Sequence, residues 1–145
     1  MYFLTAEHSM DAAHFLSGYN GKCSNIHGHR WKVIVSVKEE ELKIEGPERG
    51  MVFDFKDLKD IVKEEVDFFD HSLIVEEGTL KENTVRALLD ENFRIEFVKF
   101  RPTAESFAKY FFDRIESKGY RVNSVKVYET PNNCAVYTKG ESVGI

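Results

Sequence analysis

The chain has little cysteine, little proline, no excess of positive charge and no long apolar run. Two cysteines, Cys23 and Cys134, among 145 residues make no disulfide framework, which points to a reducing compartment. Met1-Tyr2-Phe3-Leu4 carries no secretory signal, so a cytoplasmic location is expected. No stretch approaches the roughly 20 apolar residues that cross a bilayer as a helix, so no membrane partner is expected. Lys and Arg number 20 against 25 Asp and Glu, for a net charge of −5. That balance argues against a nucleic-acid partner, which usually meets a basic face, but leaves room for an anionic small substrate in a locally basic site. Repeats and low-complexity linkers are missing too, so residues 1–145 read as one domain with a core of its own. The hydrophobic fraction of 42% and charged fraction of 31% are those of an ordinary globular protein.

Periodicity divides what is there. Phe3 to Phe15 is strand-like, and Ser17-Gly18-Tyr19-Asn20-Gly21 is a loop. From His29 to Lys38, Trp31, Val33, Val35 and Val37 alternate with Lys32, Ile34, Ser36 and Lys38, the two-residue period of a strand. Asp54 caps a helix whose apolar stripe is Leu58, Ile61, Val62 and Val66, ending near Phe68-Phe69-Asp70-His71. Residues 76–100 form an insert: an acidic loop with a short helix from Thr79 to Glu91, then a stretch from Arg94 to Phe100 that alternates like a short strand. Pro102-Thr103 opens a second long helix with Phe107, Phe111 and Ile115 on one face, and Gly119 ends it. Val122 to Tyr128 and Cys134 to Thr138 are strands joined by a turn at Pro131-Asn132-Asn133. The Lys and Glu residues of 38–45 and 56–65 read as solvated faces. This order predicts an α+β domain with a four-stranded antiparallel sheet and two main helices.

The chemistry concentrates in Cys23-Ser24-Asn25-Ile26-His27-Gly28-His29. His27 and His29 are two apart, so on an extended chain both imidazoles face one side, and Gly28 removes bulk where a backbone or ligand approaches. With His14 they make three imidazoles, the donor set of a catalytic zinc site with one position open. The alternatives are a closed structural site with Cys23 as fourth ligand, and a chance His-Gly-His. Cys23 beside a metal is a candidate nucleophile or base, because nearby positive charge favours the thiolate. Asp70-His71 has the makings of an acid–base pair if the neighbours touch, and otherwise is a surface pair at a helix end. Glu129 ends an apolar strand just before Pro131, where a carboxylate needs donors; a ligand with two parallel N–H groups supplies them. Glu105 in a helix's first turn is favoured by the dipole alone. His8 reads as solvent-facing and Cys134 as a small packed strand residue.

Ala12-Ala13-His14, Cys23 to His29, Gly50-Met51-Val52-Phe53-Asp54-Phe55, Asp70-His71, Pro102-Thr103-Ala104-Glu105 and Glu129-Thr130-Pro131 together resemble the 6-pyruvoyl-tetrahydropterin synthase family over nearly the whole chain. Three residues separate Cys23 from His27, a spacing similar to that of its 6-carboxy-tetrahydropterin synthase branch. The resemblance implies a tunnelling fold, in which subunit sheets join into a barrel with helices outside. It also implies a homohexamer of two trimers with sites at subunit interfaces. It makes His14, His27 and His29 the ligands of Zn2+, Cys23 the catalytic thiolate, and Asp70 and His71 an acid–base pair reaching the zinc from a neighbouring subunit. Glu129 becomes the pterin anchor, with Glu105 and Thr103 lining the same pocket. The implied reaction converts 7,8-dihydroneopterin triphosphate to 6-carboxy-5,6,7,8-tetrahydropterin, acetaldehyde and triphosphate, without an external redox cofactor, for 7-deazaguanine synthesis and so queuosine or archaeosine.

Three other readings compete. One is a sister enzyme on the same zinc site, eliminating triphosphate to 6-pyruvoyl-tetrahydropterin or cleaving the dihydroneopterin side chain as an aldolase. Another is a structural or pterin-binding zinc protein without turnover. The third is a metal-free tunnelling-fold aldolase. Relatives often read Asp-His-x-x-Leu-Asn where this chain has Asp70-His71-Ser72-Leu73-Ile74-Val75, so the pocket wall after the pair is its own.

Overall fold

Strands β1 (Tyr2–His14) and β2 (His27–Glu39) run antiparallel along their whole lengths in the computed structural model, which describes residues 1–140. Their register sets the rest of the molecule. His14 lies opposite His27, Ala12 opposite His29 and Met10 opposite Trp31, so these side chains share one face. That face is the inner one: Ala6, Met10 and Ala12 of β1 and Trp31, Val33, Val35 and Val37 of β2 are all buried. β5 (Val122–Thr130) adds antiparallel to β2, and β6 (Asn133–Tyr137) adds antiparallel to β5.

Helices α1 (Phe55–Asp67) and α3 (Ala104–Ser117) cover the inner face. Each begins where a side chain answers an orphaned backbone donor. Asp54 accepts from the Lys56 N–H at 2.8 Å, and Thr103 accepts from the Ser106 N–H at 3.1 Å. Leu58, Val62 and Val66 of α1 meet Phe107, Phe111 and Ile115 of α3 in one core with Trp31 and Phe69. Gly119, at φ +99°, takes the left-handed turn that ends α3.

The sheet is larger than the predicted four strands, and it is mixed. Its order is β4-β3-β1-β2-β5-β6. β3 (Ser72–Glu76) pairs parallel to β1 through Ala12–Ser72 and Ala13–Leu73, and β4 (Ile95–Val98) pairs parallel to β3. β3 escapes a periodicity reading because Ser72-Leu73-Ile74-Val75 is a short buried run without alternation, with Ile74 and Val75 both buried. Residues 76–100 therefore complete the sheet. Their helix, α2 (Glu82–Asp90), buries no residue.

Three local expectations fail. Glu65 is not solvated: it is buried between the helices, where Arg114 donates to both its oxygens at 2.9 and 3.0 Å. His8 lies on the helix-facing side of β1, 2.7 Å from Asp67 Oδ1. Cys134 is exposed rather than packed.

Candidate functional site

Three histidine rings meet at the end of the β1–β2 pair, where the core gives way to a cleft. The Nδ1 atoms of two of them are committed. His14 Nδ1 lies 2.7 Å from the Pro102 carbonyl, in the segment that leads into α3. His27 Nδ1 lies 2.7 Å from the Asn25 carbonyl. A carbonyl only accepts, so each ring holds its proton on Nδ1 and presents an unprotonated Nε2. Those two Nε2 atoms stand 3.1 Å apart. Two lone pairs at that distance repel unless a cation or a shared proton lies between them.

The third ring and a carboxylate close the group. His29 Nε2 is buried and has no hydrogen-bond partner among the described residues. Glu129, two residues beyond the buried Val127 and thus on the same face of β5, brings Oε1 to 3.3 Å from His14 Nε2 and 3.4 Å from His29 Nε2. One ligand atom from each of the four residues lies within 4.8 Å of the others. Ligands of a tetrahedral zinc with bonds near 2.0–2.1 Å sit about 3.3 Å apart. The donor set therefore fits a zinc ion, and the orphaned His29 nitrogen is the atom such an ion would satisfy. The rings suit the task electrostatically. Burial, above all, pushes the His14 imidazole down to about 4, and the neighbouring His27 and His29 push the same way. Burial likewise lowers His29, against the pull of Glu129. Neutral imidazole is the form that ligates. Trp31 meets the His14 and His29 rings edge-on, at centroid distances of 4.8 and 5.5 Å, and forms an apolar wall.

The carboxylate that gathers with the three imidazoles is Glu129, and Cys23 is not in that group. Cys23 sits half-buried on a 3-10 turn, Lys22–Ser24, whose carbonyl accepts from the Leu16 N–H at 2.9 Å. This ties the thiol's loop to the end of β1. Glu105 is exposed in the first turn of α3 and lines one cleft with Glu129, Asn133 and Cys134. Thr103 is occupied with capping α3 and is not among the residues lining that cleft. The close approach expected at Gly28 is absent: a Cβ there would meet only the Ala12 carbonyl, at an ordinary 3.7 Å.

Asp70 and His71 do touch. Asp70 Oδ2 lies 2.7 Å from His71 Nδ1, and Asp70 Oδ1 accepts from the Asp11 N–H at 2.7 Å. That backbone donor, more than the His71 ring, holds the Asp70 carboxyl below its usual range. The pair is not part of the histidine group within one chain. His71 lines one cleft with Asp11, Arg30 and His29 of the histidine group. Arg30 is engaged in a bidentate pair with Asp11 at 2.9 Å. Lys32 lines a cleft with His29 and Glu129; its place in the β2 alternation, two residues after Arg30 on the same face, was the available signal.

Among the described residues no helix is long and apolar enough to cross a membrane. A family model described as 6-pyruvoyl tetrahydropterin synthase matches residues 3–140. A Haemophilus influenzae protein named 6-carboxy-5,6,7,8-tetrahydropterin synthase is 36% identical over 140 residues, covering 94% of this chain and 99% of its own. A Rickettsia bellii protein of the same name is 35% identical over 128 residues, covering 84% of this chain and 89% of its own. The solved structure of the Caenorhabditis elegans 6-pyruvoyl tetrahydropterin synthase superposes with a TM-score of 0.65 at 25% identity, over 97% of this chain and 98% of the other. The similarity spans the histidine group, the Asp70–His71 pair and every strand of the sheet, and by it the chain belongs to the 6-pyruvoyl tetrahydropterin synthase family.

Proposed function

We propose that this protein is a zinc-dependent carbon–carbon lyase. It converts 7,8-dihydroneopterin triphosphate and water to 6-carboxy-5,6,7,8-tetrahydropterin, acetaldehyde and triphosphate, and supplies 7-deazaguanine synthesis. The observation that carries the zinc site is the convergence of His14, His27 and His29 on one point through their Nε2 atoms. The names of the relatives and the three-residue gap between Cys23 and His27 favour the carboxy branch.

His14, His27 and His29 would hold the ion. Bound there, zinc supplies a Lewis acid that makes the C–H and O–H protons of the substrate side chain easier to remove. Cys23 takes a proton from that side chain. His71, oriented through Nδ1 by Asp70, returns one through Nε2. Asp70 and His71 are not among the four residues that gather at the zinc position of their own chain, and they serve the site of a neighbouring subunit in a homohexamer of two trimers. Glu129 turns from the imidazoles to the cleft and accepts two hydrogen bonds from the pterin ring N–H and its 2-amino group, a charge-assisted bidentate contact. Glu105 borders that pocket. The pterin ring and its side chain exchange oxidation level internally, so no redox cofactor takes part.

Zinc-loaded protein incubated anaerobically with 7,8-dihydroneopterin triphosphate should yield the carboxy-tetrahydropterin and acetaldehyde by mass spectrometry. A 6-pyruvoyl or hydroxymethyl pterin would keep the zinc site and assign the chain to a sister activity. Cys23→Ala separates turnover from a structural role: the expected protein keeps its zinc and loses product, whereas loss of zinc would make Cys23 a ligand.

A further inference from the structure

Arg94, the residue that leads into β4, reaches back over the end of α1. Its Nη1 donates to the Asp70 carbonyl at 2.9 Å, its Nη2 donates to the Phe68 carbonyl, and its Nε donates to Glu96 Oε1 at 3.0 Å. The guanidinium lies toward the Phe68 ring, 5.9 Å from its centroid. The main chain holds Arg94 as well, since the Leu73 N–H donates to its carbonyl at 3.0 Å.

What Arg94 grips is the peptide that joins Asp70 to His71. The carbonyl of that unit accepts from Arg94, and its N–H, carried by His71, donates to the Asp11 carbonyl at 2.7 Å. Both ends of one peptide plane are thus fixed. His71 has φ +58°, a left-handed conformation that residues with a Cβ adopt uncommonly and that persists only when neighbours impose it. The plane sets the direction in which the Asp70 carboxylate and the His71 ring leave the chain. An arginine at a helix C-terminus commonly satisfies free carbonyls and the negative end of the dipole, and that accounts for the Phe68 contact. It does not account for the Asp70 carbonyl, which lies beyond the helix.

We propose that Arg94 is a positioning residue for the Asp70–His71 pair, and that holding this peptide is what residues 76–100 contribute to the chemistry beyond completing the sheet. The proposal rests on the pair's acid–base role stated above. The charged groups around the pair are Asp11, Arg30 and Arg94.

The test is a nitrogen NMR spectrum of zinc-loaded protein labelled with 15N-histidine, with the His71 signals assigned by their loss in His71→Asn. The 15N shifts report which ring nitrogen carries the proton. In the wild type, Nδ1 carries it, facing Asp70. In Arg94→Gln the shifts should move toward those of Asp70→Asn, and kcat should fall roughly tenfold to a hundredfold with KM within about twofold. Millimolar methylguanidinium should restore both. Unchanged His71 shifts and kcat, with only a lowered Tm, would leave Arg94 as a helix cap and overturn the proposal. If Arg94→Gln does not fold, Glu96→Gln, which frees one side of the guanidinium, should move the shifts the same way by less; no movement there also overturns it. A wild type that makes no product rejects the lyase reading, and the nitrogen shifts still decide the role of Arg94.

Discussion

Glu129 is the residue on which two roles meet. Its Oε1 stands 3.3 and 3.4 Å from two ligand nitrogens, yet as a pterin anchor its carboxylate must face the cleft. Glu129→Gln keeps the shape and removes the charge. We expect zinc content, read by elemental analysis, to stay at that of the wild type. Affinity for the carboxy-tetrahydropterin product, read by titration calorimetry, should fall by about 2 kcal/mol, the worth of a charged hydrogen bond. Loss of zinc would instead make Glu129 the fourth ligand. Asp70 permits a prediction in pH. The Asp11 N–H, first of several causes, holds its carboxyl below the unfolded value of 3.8, so the unfolded chain takes up its proton first as pH falls. The resulting stabilisation is complete above about pH 4 and is lost as pH drops through the lowered folded value. Thermal unfolding should therefore show a shallower acid limb below about pH 4 in Asp70→Asn than in the wild type. Equal limbs would mean the Asp11 contact is too weak to matter.

At the scale of elements, the join between α1 and α3 carries one charged pair, a buried Glu65 carboxylate beneath an exposed Arg114 guanidinium. Arg114→Met would leave the buried Glu65 carboxylate with only Lys118, 3.8 Å away. Stranding a buried charge typically costs about 3 kcal/mol, while removing both partners is far cheaper. Urea unfolding should show that loss with an unchanged m-value, and Glu65→Met combined with Arg114→Met should recover most of it. Glu65 also shows where sequence reading stops. The stripe of Leu58, Val62 and Val66 is plain from its spacing, but nothing local says that α3 will roof over a glutamate on its flank. Strands that alternate were legible, β1 and β2 to within two residues, and with them the shared face of His27 and His29. β3 was not, since a strand buried in a parallel pair has no polar face to show. The three histidines declared themselves by type and spacing. Glu129 showed only a need for donors, because its approach to them depends on the β2–β5 register, a contact between residues about a hundred apart in the chain.

For the whole molecule, the sheet ends in two open edges, β4 and β6, with Phe97 and Val136 each more than 40% exposed. Open strands with apolar side chains invite pairing between chains. In the proposed hexamer they are where one subunit's sheet continues into the next, and where the Asp70–His71 pair meets another chain's histidines. Native mass spectrometry should find six chains, and Val136→Lys on the β6 edge should shift the population to smaller species and lower turnover in parallel. A monomer with full turnover would dismiss the shared site. One feature of the histidine group bears on how such a centre endures. The partners that orient His14 and His27 are the carbonyls of Pro102 and Asn25, which belong to the main chain. No codon change can delete a carbonyl. The side chains at 25 and 102 can drift through generations while the tautomers they flank stay set, so heritable tuning of this centre has to act through the path of the backbone.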